Sequence, residues 1–514
     1  MSVESSGSRS PTFAVRSTYD FIRDNAFSVF GLSALLLVPC FWHSRIQAGD
    51  LGSHVYNAWL AQLIEHRQLQ GLTLVFQWNN VLSDLLVLHI GNVLGFIVAE
   101  KIVVSFAVLI FFWGCFSFIA KASGRPPWLL APFLLALAYG YAFHMGFMNY
   151  YLSLGFAFLA LALAWRGGAG NWLLALALSC VSLVAHPIGF LFAVVLATYI
   201  CVWRSLSGWI RMVLPAIALA FFVCLRVFFL SHEVYQADWR EAGFFQLFGQ
   251  DQLNLFGHRY VALSWVGFAW GVFCALAAIY DWIFRGRPPA TALRFATELY
   301  VVAIVATVCL PENCQISIYA GWVGLLVSRL TLVTAVFGLL VLATFHLPRW
   351  SISGNCLFAL VFFLFLYQDT GKLDRLEGSA RDVVHGLPVG TRIVAVANAP
   401  GDWRIQFIYH SIERACIGRC FSFANYEPSS LQFRVRAIPG NYFVTASVDQ
   451  SDDMSSGEYV VRKQDLPLTA IYQCDDADFT QLCALPLREG QKTEDPESEP
   501  VPMPSADGDS DTEN

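Results

Sequence analysis

The chain has 514 residues, 56% of them hydrophobic and only 14% charged. A soluble domain carries roughly 25% charge, so a water-soluble globule is excluded and a polytopic membrane protein is expected. The net charge of −6 has one source: Gly490 to Asn514 holds eight acids and one Lys, which leaves +1 for the rest and nothing basic enough for a nucleic-acid partner.

Residues 1–25 are polar, with Arg9, Arg16 and Arg23 and no cleavable-signal pattern, so a cytoplasmic N-terminal segment and a retained first anchor are expected. A span needs about 20 apolar residues, fewer inside a bundle. Eleven segments meet that demand: 26–43, 96–120, 127–143, 147–166, 171–185, 187–203, 210–230, 259–284, 296–311, 323–346 and 352–368. With this count Lys121, Arg125, Arg166, Arg204, Arg211, Arg285, Arg287, Arg294 and Arg349 join the N-terminal arginines on one side, the cytoplasmic one. The segment 171–203 is about 50 Å long as a single helix, and His186-Pro187 breaks it into two short halves.

The loop 44–95 falls outside. It opens with Ala48-Gly49-Asp50, followed by a stretch to His66 in which Asp50, His54, Asn57, Ala61 and Glu65 share one helical face. Leu51, Val55, Trp59 and Leu63 make the other, so an amphipathic helix lying on the bilayer surface is expected. Asp50 has two readings: an N-cap for the helix it opens, or a semi-buried carboxylate whose pKa rises toward that of a useful base. His54, one turn on, suits orienting it or binding phosphate; Asp84 and His89 lie in the same loop.

Composition turns soluble at about Gly371. Thr391–Ala397, Gln432–Ile438, Tyr442–Ala446 and Gly457–Val461 read as strands, and 405–412 as helix or strand. A small α/β domain over 371–488 is expected on the extracytoplasmic side. Its Cys416, Cys420, Cys474 and Cys483 suit two disulfides, with 416–420 and 474–483 one pairing among the alternatives; zinc finds no His at ligand spacing. The tail 489–514 is acidic, Pro- and Ser-rich and without apolar period, hence disordered.

Other candidates follow from placement. His144, Asn149 and His186 sit at external ends of spans, where they can converge with Asp50 on one cavity. Arg240, in the loop 231–258, and Arg329, inside an apolar span, are guanidinium candidates for a lipid phosphate. The fold expected is thus an all-α polytopic membrane bundle of about 11 helices followed by a small extracytoplasmic α/β domain.

In layout the chain resembles the GT-C superfamily of polytopic membrane glycosyltransferases, in particular its uncharacterised bacterial members. Gly49-Asp50 directly after the first span, the turn Tyr141-Ala142-Phe143-His144-Met145-Gly146-Phe147-Met148-Asn149-Tyr150, the break Ala185-His186-Pro187-Ile188-Gly189, and a soluble domain on the acid's side carry the likeness, over about 1–370. The resemblance implies transfer of a sugar from a polyprenyl-phosphate donor to a lipid-linked or other cell-envelope acceptor, at the outer face of an inner membrane. Asp50 is the one position that matches the family's catalytic base. Commoner members carry a second adjacent acid that this chain lacks, which leaves a divalent metal open; no cofactor is certain. The stretch Arg414–Pro428 matches no known motif. The competing expectation is a non-catalytic scaffold, or a transporter or flippase of the envelope. A transporter predicts paired broken helices, and His186-Pro187 is a single break.

Overall fold

The computed structural model describes residues 18–231, 237–239, 243–285, 290–315, 322–430, 432–445, 447–475 and 477–493. The chain is mostly helical, with a small sheet region near its C-terminus. Eight helices are long and apolar enough to cross a membrane: Phe96–Ser123, Met148–Arg166, Pro187–Ser205, Ile210–Ser231, His258–Phe284, Thr291–Cys309, Leu326–Thr344 and Ser351–Gly386. Three of the eleven expected spans are shorter apolar helices, Ala26–Phe41, Trp128–His144 and Ala169–Ala185, and the middle one is interrupted at Tyr139-Gly140. Eight is therefore the count that length and composition support. The helix Ile210–Ser231 has no buried residue although it is among the most apolar. An all-round apolar, uncovered helix is what a lipid environment accepts and water does not.

The expected boundary at 371 does not separate two elements. The last apolar helix runs unbroken from Ser351 to Gly386, since neither Gly371 nor Gly378 stops a helix with good formers around it. Its first half is exposed and apolar at Leu357, Leu360 and Leu364. Its second half buries Leu373, Leu376, Ala380 and Val384.

The C-terminal sheet region is built on four strands in the order Cys420–Ser422, Thr391–Val396, Thr469–Gln473, Leu482–Pro486, the first two pairs parallel and the last antiparallel. Thr391–Val396 is central and nearly wholly buried, as its run of Ile and Val requires. Residues 405–412 contribute to a helix, Tyr409–Ala415. Within 432–438 only Val435–Ala437 is strand, and it pairs with Leu72–Leu74, so the loop 44–95 is sewn to the soluble domain. Tyr442–Ala446 and Gly457–Val461 form no strand in the described residues; the latter has one isolated bridge, Val460 to Lys492. Both disulfides close as 416–420 and 474–483. The tail beyond 493 lies outside the described residues.

The Leu51–Glu65 helix does not lie on a bilayer surface. Leu51 to Ala61 are all buried, because the C-terminal sheet region covers this helix. Tyr56 Oη accepts from Ser422 N, Asn57 and Asn425 exchange side-chain amide bonds, and Ser53 Oγ donates to Glu427. At Gly52 a Cβ would run into the backbone of His410, so only glycine permits this approach. The polar stripe read as facing water faces a domain interface instead.

Candidate functional site

Two of the singled-out motifs meet at Asp50. Gly49 N donates to His144 O at 2.8 Å and Asp50 N to Met145 O at 3.0 Å. Gly146, at φ +85°, lets the turn 141–147 close on them: a Cβ there would stand 2.5 Å from Asp50 N. Asp50 begins the helix but makes no side-chain cap bond. Its carboxylate is turned instead into a cluster. Oδ2 lies 3.3 Å from His54 Nε2, while Oδ1 accepts from Tyr426 Oη at 2.9 Å and stands 3.6 Å from His410 Nε2. Asp50 keeps 18% of its side chain exposed, against 9% for His54 and 3% for His410.

The other ring nitrogen of His54 faces two more acids, Asp84 Oδ1 at 2.9 Å and Glu427 Oε1 at 3.6 Å. Neither His54 Nδ1 nor Asp84 Oδ1 completes a well-aligned hydrogen bond. Both residues line a narrow cleft with Asn57, Asn80, Glu427 and Phe433. Asp84 is held by Asn149, whose Nδ2 donates to it at 2.9 Å and whose Oδ1 caps Ser83 N at 2.7 Å. On the far side His410 Nδ1 contacts Glu413 at 2.6 Å, and Glu413 accepts from Ser422 Oγ.

Burial alone would raise the pKa of Asp50, but the adjacent His54, with His410 and the Tyr426 hydroxyl, brings it down to about 2. Burial alone would strip the proton from His54, and Asp84 and Asp50 outweigh it, holding the imidazole well above its ordinary value. His410 is raised likewise, against burial, by Glu413 and Asp50. Glu427 goes the opposite way. Burial and the neighbouring Asp84 and Asp50 push it up to about 8, and His54 recovers only part. The surroundings thus favour the charged forms of Asp50 and His54 and the neutral form of Glu427.

The structure brings Asp50, His54, Asp84 and Asn149 together. His144 contributes through its carbonyl; its buried ring sits on Gln47 O at 3.0 Å, edge-on to Phe256. His186 caps the helix Pro187–Ser205, its Nδ1 accepting from Ile188 N, and packs edge-on to Tyr150 at 5.7 Å. Arg329 stacks on Phe147 and Tyr150, centroid distances 4.6 and 5.7 Å. His186 and Arg329 thus neighbour the turn that carries Asn149. His89 is not at the site: it is exposed and bonds Leu85 O of its own helix. Arg240 lies outside the described residues. Among the described residues no three His, Cys, Asp or Glu are arranged to hold a metal ion.

No family model, curated protein or solved structure matches the chain. Half of the cluster, His410, Glu413, Tyr426 and Glu427, escapes a reading of the apolar region because it comes from the C-terminal sheet region, more than 250 residues further along the chain. The available signal was the concentration of His, Glu and Tyr between Tyr409 and Glu427, a span that overlaps the unassigned stretch 414–428.

Proposed function

We propose that the chain is a membrane glycosyltransferase that moves a sugar from a polyprenyl-phosphate donor to a lipid-linked or other envelope acceptor on the outer face of a bacterial inner membrane. The carrying observation is Asp50: a partly exposed carboxylate that opens a helix without capping it, ringed by His54, His410 and Tyr426, at the junction between apolar helices and a soluble domain. In this reading the acceptor hydroxyl oxygen bonds to the anomeric carbon while the carbon–oxygen bond to phosphate breaks. Polyprenyl phosphate leaves, and the hydroxyl proton passes to Asp50. A carboxylate near pKa 2 is a weak base. It suffices when proton transfer is late, because a hydroxyl already bonding to an oxocarbenium-like carbon is strongly acidic. His54 positions Asp50 and offsets the charge of Asp50 and Asp84. An eleven-span topology with the soluble domain outside belongs to the same proposal.

The second reading is a non-catalytic envelope scaffold. What favours it is the number of charged contacts that tie the soluble domain to the helices, described below for Arg414. Asp50→Asn separates the two. With normal membrane levels and melting temperature, the variant should lose transfer by about 10²–10⁴-fold from polyprenyl-phosphate hexoses and pentoses tested on envelope lipid extracts. Full transfer by this variant rejects Asp50 as base, and no transfer by the wild-type chain with any of these donors favours the scaffold.

A further inference from the structure

Away from the Asp50 cluster a second hollow, of about 540 Å³, is lined by His43, Tyr367, Gln368, Gly371, Lys372 and Arg375. It sits on the long helix Ser351–Gly386, with lining residues from about one to about three turns beyond Leu364, the last of the exposed apolar residues Leu357, Leu360 and Leu364. If that helix crosses a bilayer, the hollow is level with the headgroups. Aromatic rings mark the same level. His43 stacks on Tyr367 at 4.8 Å, Trp42 meets Tyr367 edge-on at 5.5 Å, and Tyr367 is half exposed. Rings with one apolar and one wet side collect at that depth.

The charge there is lopsided. Lys372 and Arg375 line the hollow, Lys101 donates to His43 O at 3.1 Å, and Arg259 donates to Gln368 Oε1 at 2.7 Å. The opposing carboxylates are engaged. Asp369 takes both Arg259 and Lys372, and Asp374 accepts from Ser44 Oγ and Arg45 N. Asp478 lies within electrostatic reach of Arg375. Counted against Asp369, Asp374 and Asp478, the four cations Lys101, Arg259, Lys372 and Arg375 leave one positive charge in excess, open to solvent through Arg375 and through Lys372, whose side chain is 42% exposed.

We infer that this hollow binds the phosphate of an anionic phospholipid, with His43, Lys372 and Arg375 on the headgroup and the acyl chains running down the leucine face of the same helix. Basic side chains beside aromatic rings at the headgroup level are the physical signature of that ligand. The inference rests on the helix crossing a bilayer and not on the glycosyltransferase reading, since no lining residue belongs to the Asp50 cluster.

The test uses the full-length chain in nanodiscs and in detergent. Native mass spectrometry of wild type should retain phosphatidylglycerol in preference to phosphatidylcholine, and phosphatidylglycerol nanodiscs should raise the melting temperature above phosphatidylcholine ones. Lys372→Gln with Arg375→Gln should weaken phosphatidylglycerol retention about thirtyfold, for two charges near a headgroup, and abolish the difference in melting temperature between phosphatidylglycerol and phosphatidylcholine nanodiscs. Lys372→Arg with Arg375→Lys should keep the preference. Equal retention of the two lipids by wild type overturns the inference. So does an undiminished preference in the Gln pair, or full reproduction of the thermal shift by inorganic phosphate alone.

Discussion

Replacing Arg414 with Met should detach the soluble domain from the helices. Its side chain is 1% exposed and sits between two carboxylates that are fully buried. Nη1 donates to Glu100 Oε2 at 2.9 Å and to Ile46 O at 3.0 Å, Nε donates to Glu377 Oε1 at 3.2 Å, and Nη2 donates to Glu377 Oε2. Glu100 begins one long apolar helix and Glu377 lies on another, so one guanidinium joins three parts of the chain. Burial would tend to strip its proton, and the two acids hold it charged. After substitution Glu377 keeps Gln47 Nε2 at 2.9 Å and Arg45 at 3.7 Å, whereas Glu100 keeps a single hydrogen bond from Ile46 N. Removing one partner of a buried pair costs about 3–5 kcal/mol because a charge is left uncompensated. At roughly 2 °C per kcal/mol in a large chain, melting should fall by roughly 6–10 °C in detergent, with faster proteolysis between Leu387 and Thr391. Adding Glu100→Gln to the Arg414→Met variant should recover a good part of the loss, since a neutral amide is cheaper to bury than an unpaired carboxylate. A single variant melting within about 2 °C of wild type, or a double variant no better than the single, would show that the charge at Glu100 is not what Arg414 compensates.

Glu427→Gln should flatten the pH dependence of stability. The folded state holds this proton up to about pH 8, far above the ordinary glutamate value of about 4.3. Wild-type stability should therefore fall as pH rises between those values, and melting from pH 5 to 9 should show a shallower decline in the variant. Identical slopes would contradict the assignment. His54 and His410, also raised, contribute decline of the same sign, so some slope should remain. Gly52→Ala should force the Leu51–Glu65 helix from the His410 backbone. Overpacking costs about 1–3 kcal/mol, seen as a lower melting temperature, and any transfer activity should fall more than in a control Ala58→Gly variant.

Much of this arrangement could be read from spacing. The apolar runs locate the helices because lipid-exposed and buried faces both select for apolar residues, and helical periodicity puts Asp50 and His54 on one side. The pattern could not say what that side faces, so a polar stripe set against Asn425 and Glu427 looked like that of a helix lying on a bilayer. The change of composition at Gly371 was real but reported solvent, and the backbone hydrogen bonds of the helix run through it. His89 was misplaced because proximity in the loop says nothing of helical phase: it stands five residues from Asp84 and points outward. His410 and Tyr426 are contacts of Asp50 at a sequence distance of 360 residues or more, which no local pattern encodes.

The unbroken helix from Ser351 to Gly386 has a mechanical consequence. At about 1.5 Å per residue it is a rod of about 54 Å, clasped at one end by apolar helices and at the other by the edge strand Leu482–Pro486 and the helix bearing His410 and Arg414. With no joint between the two ends, a tilt of roughly 5° near Ser351 carries its tip by roughly 5 Å, more than the 3.6 Å that separates His410 from Asp50. A small lean of this one rod is therefore as large, at its tip, as the spacing across the acidic junction.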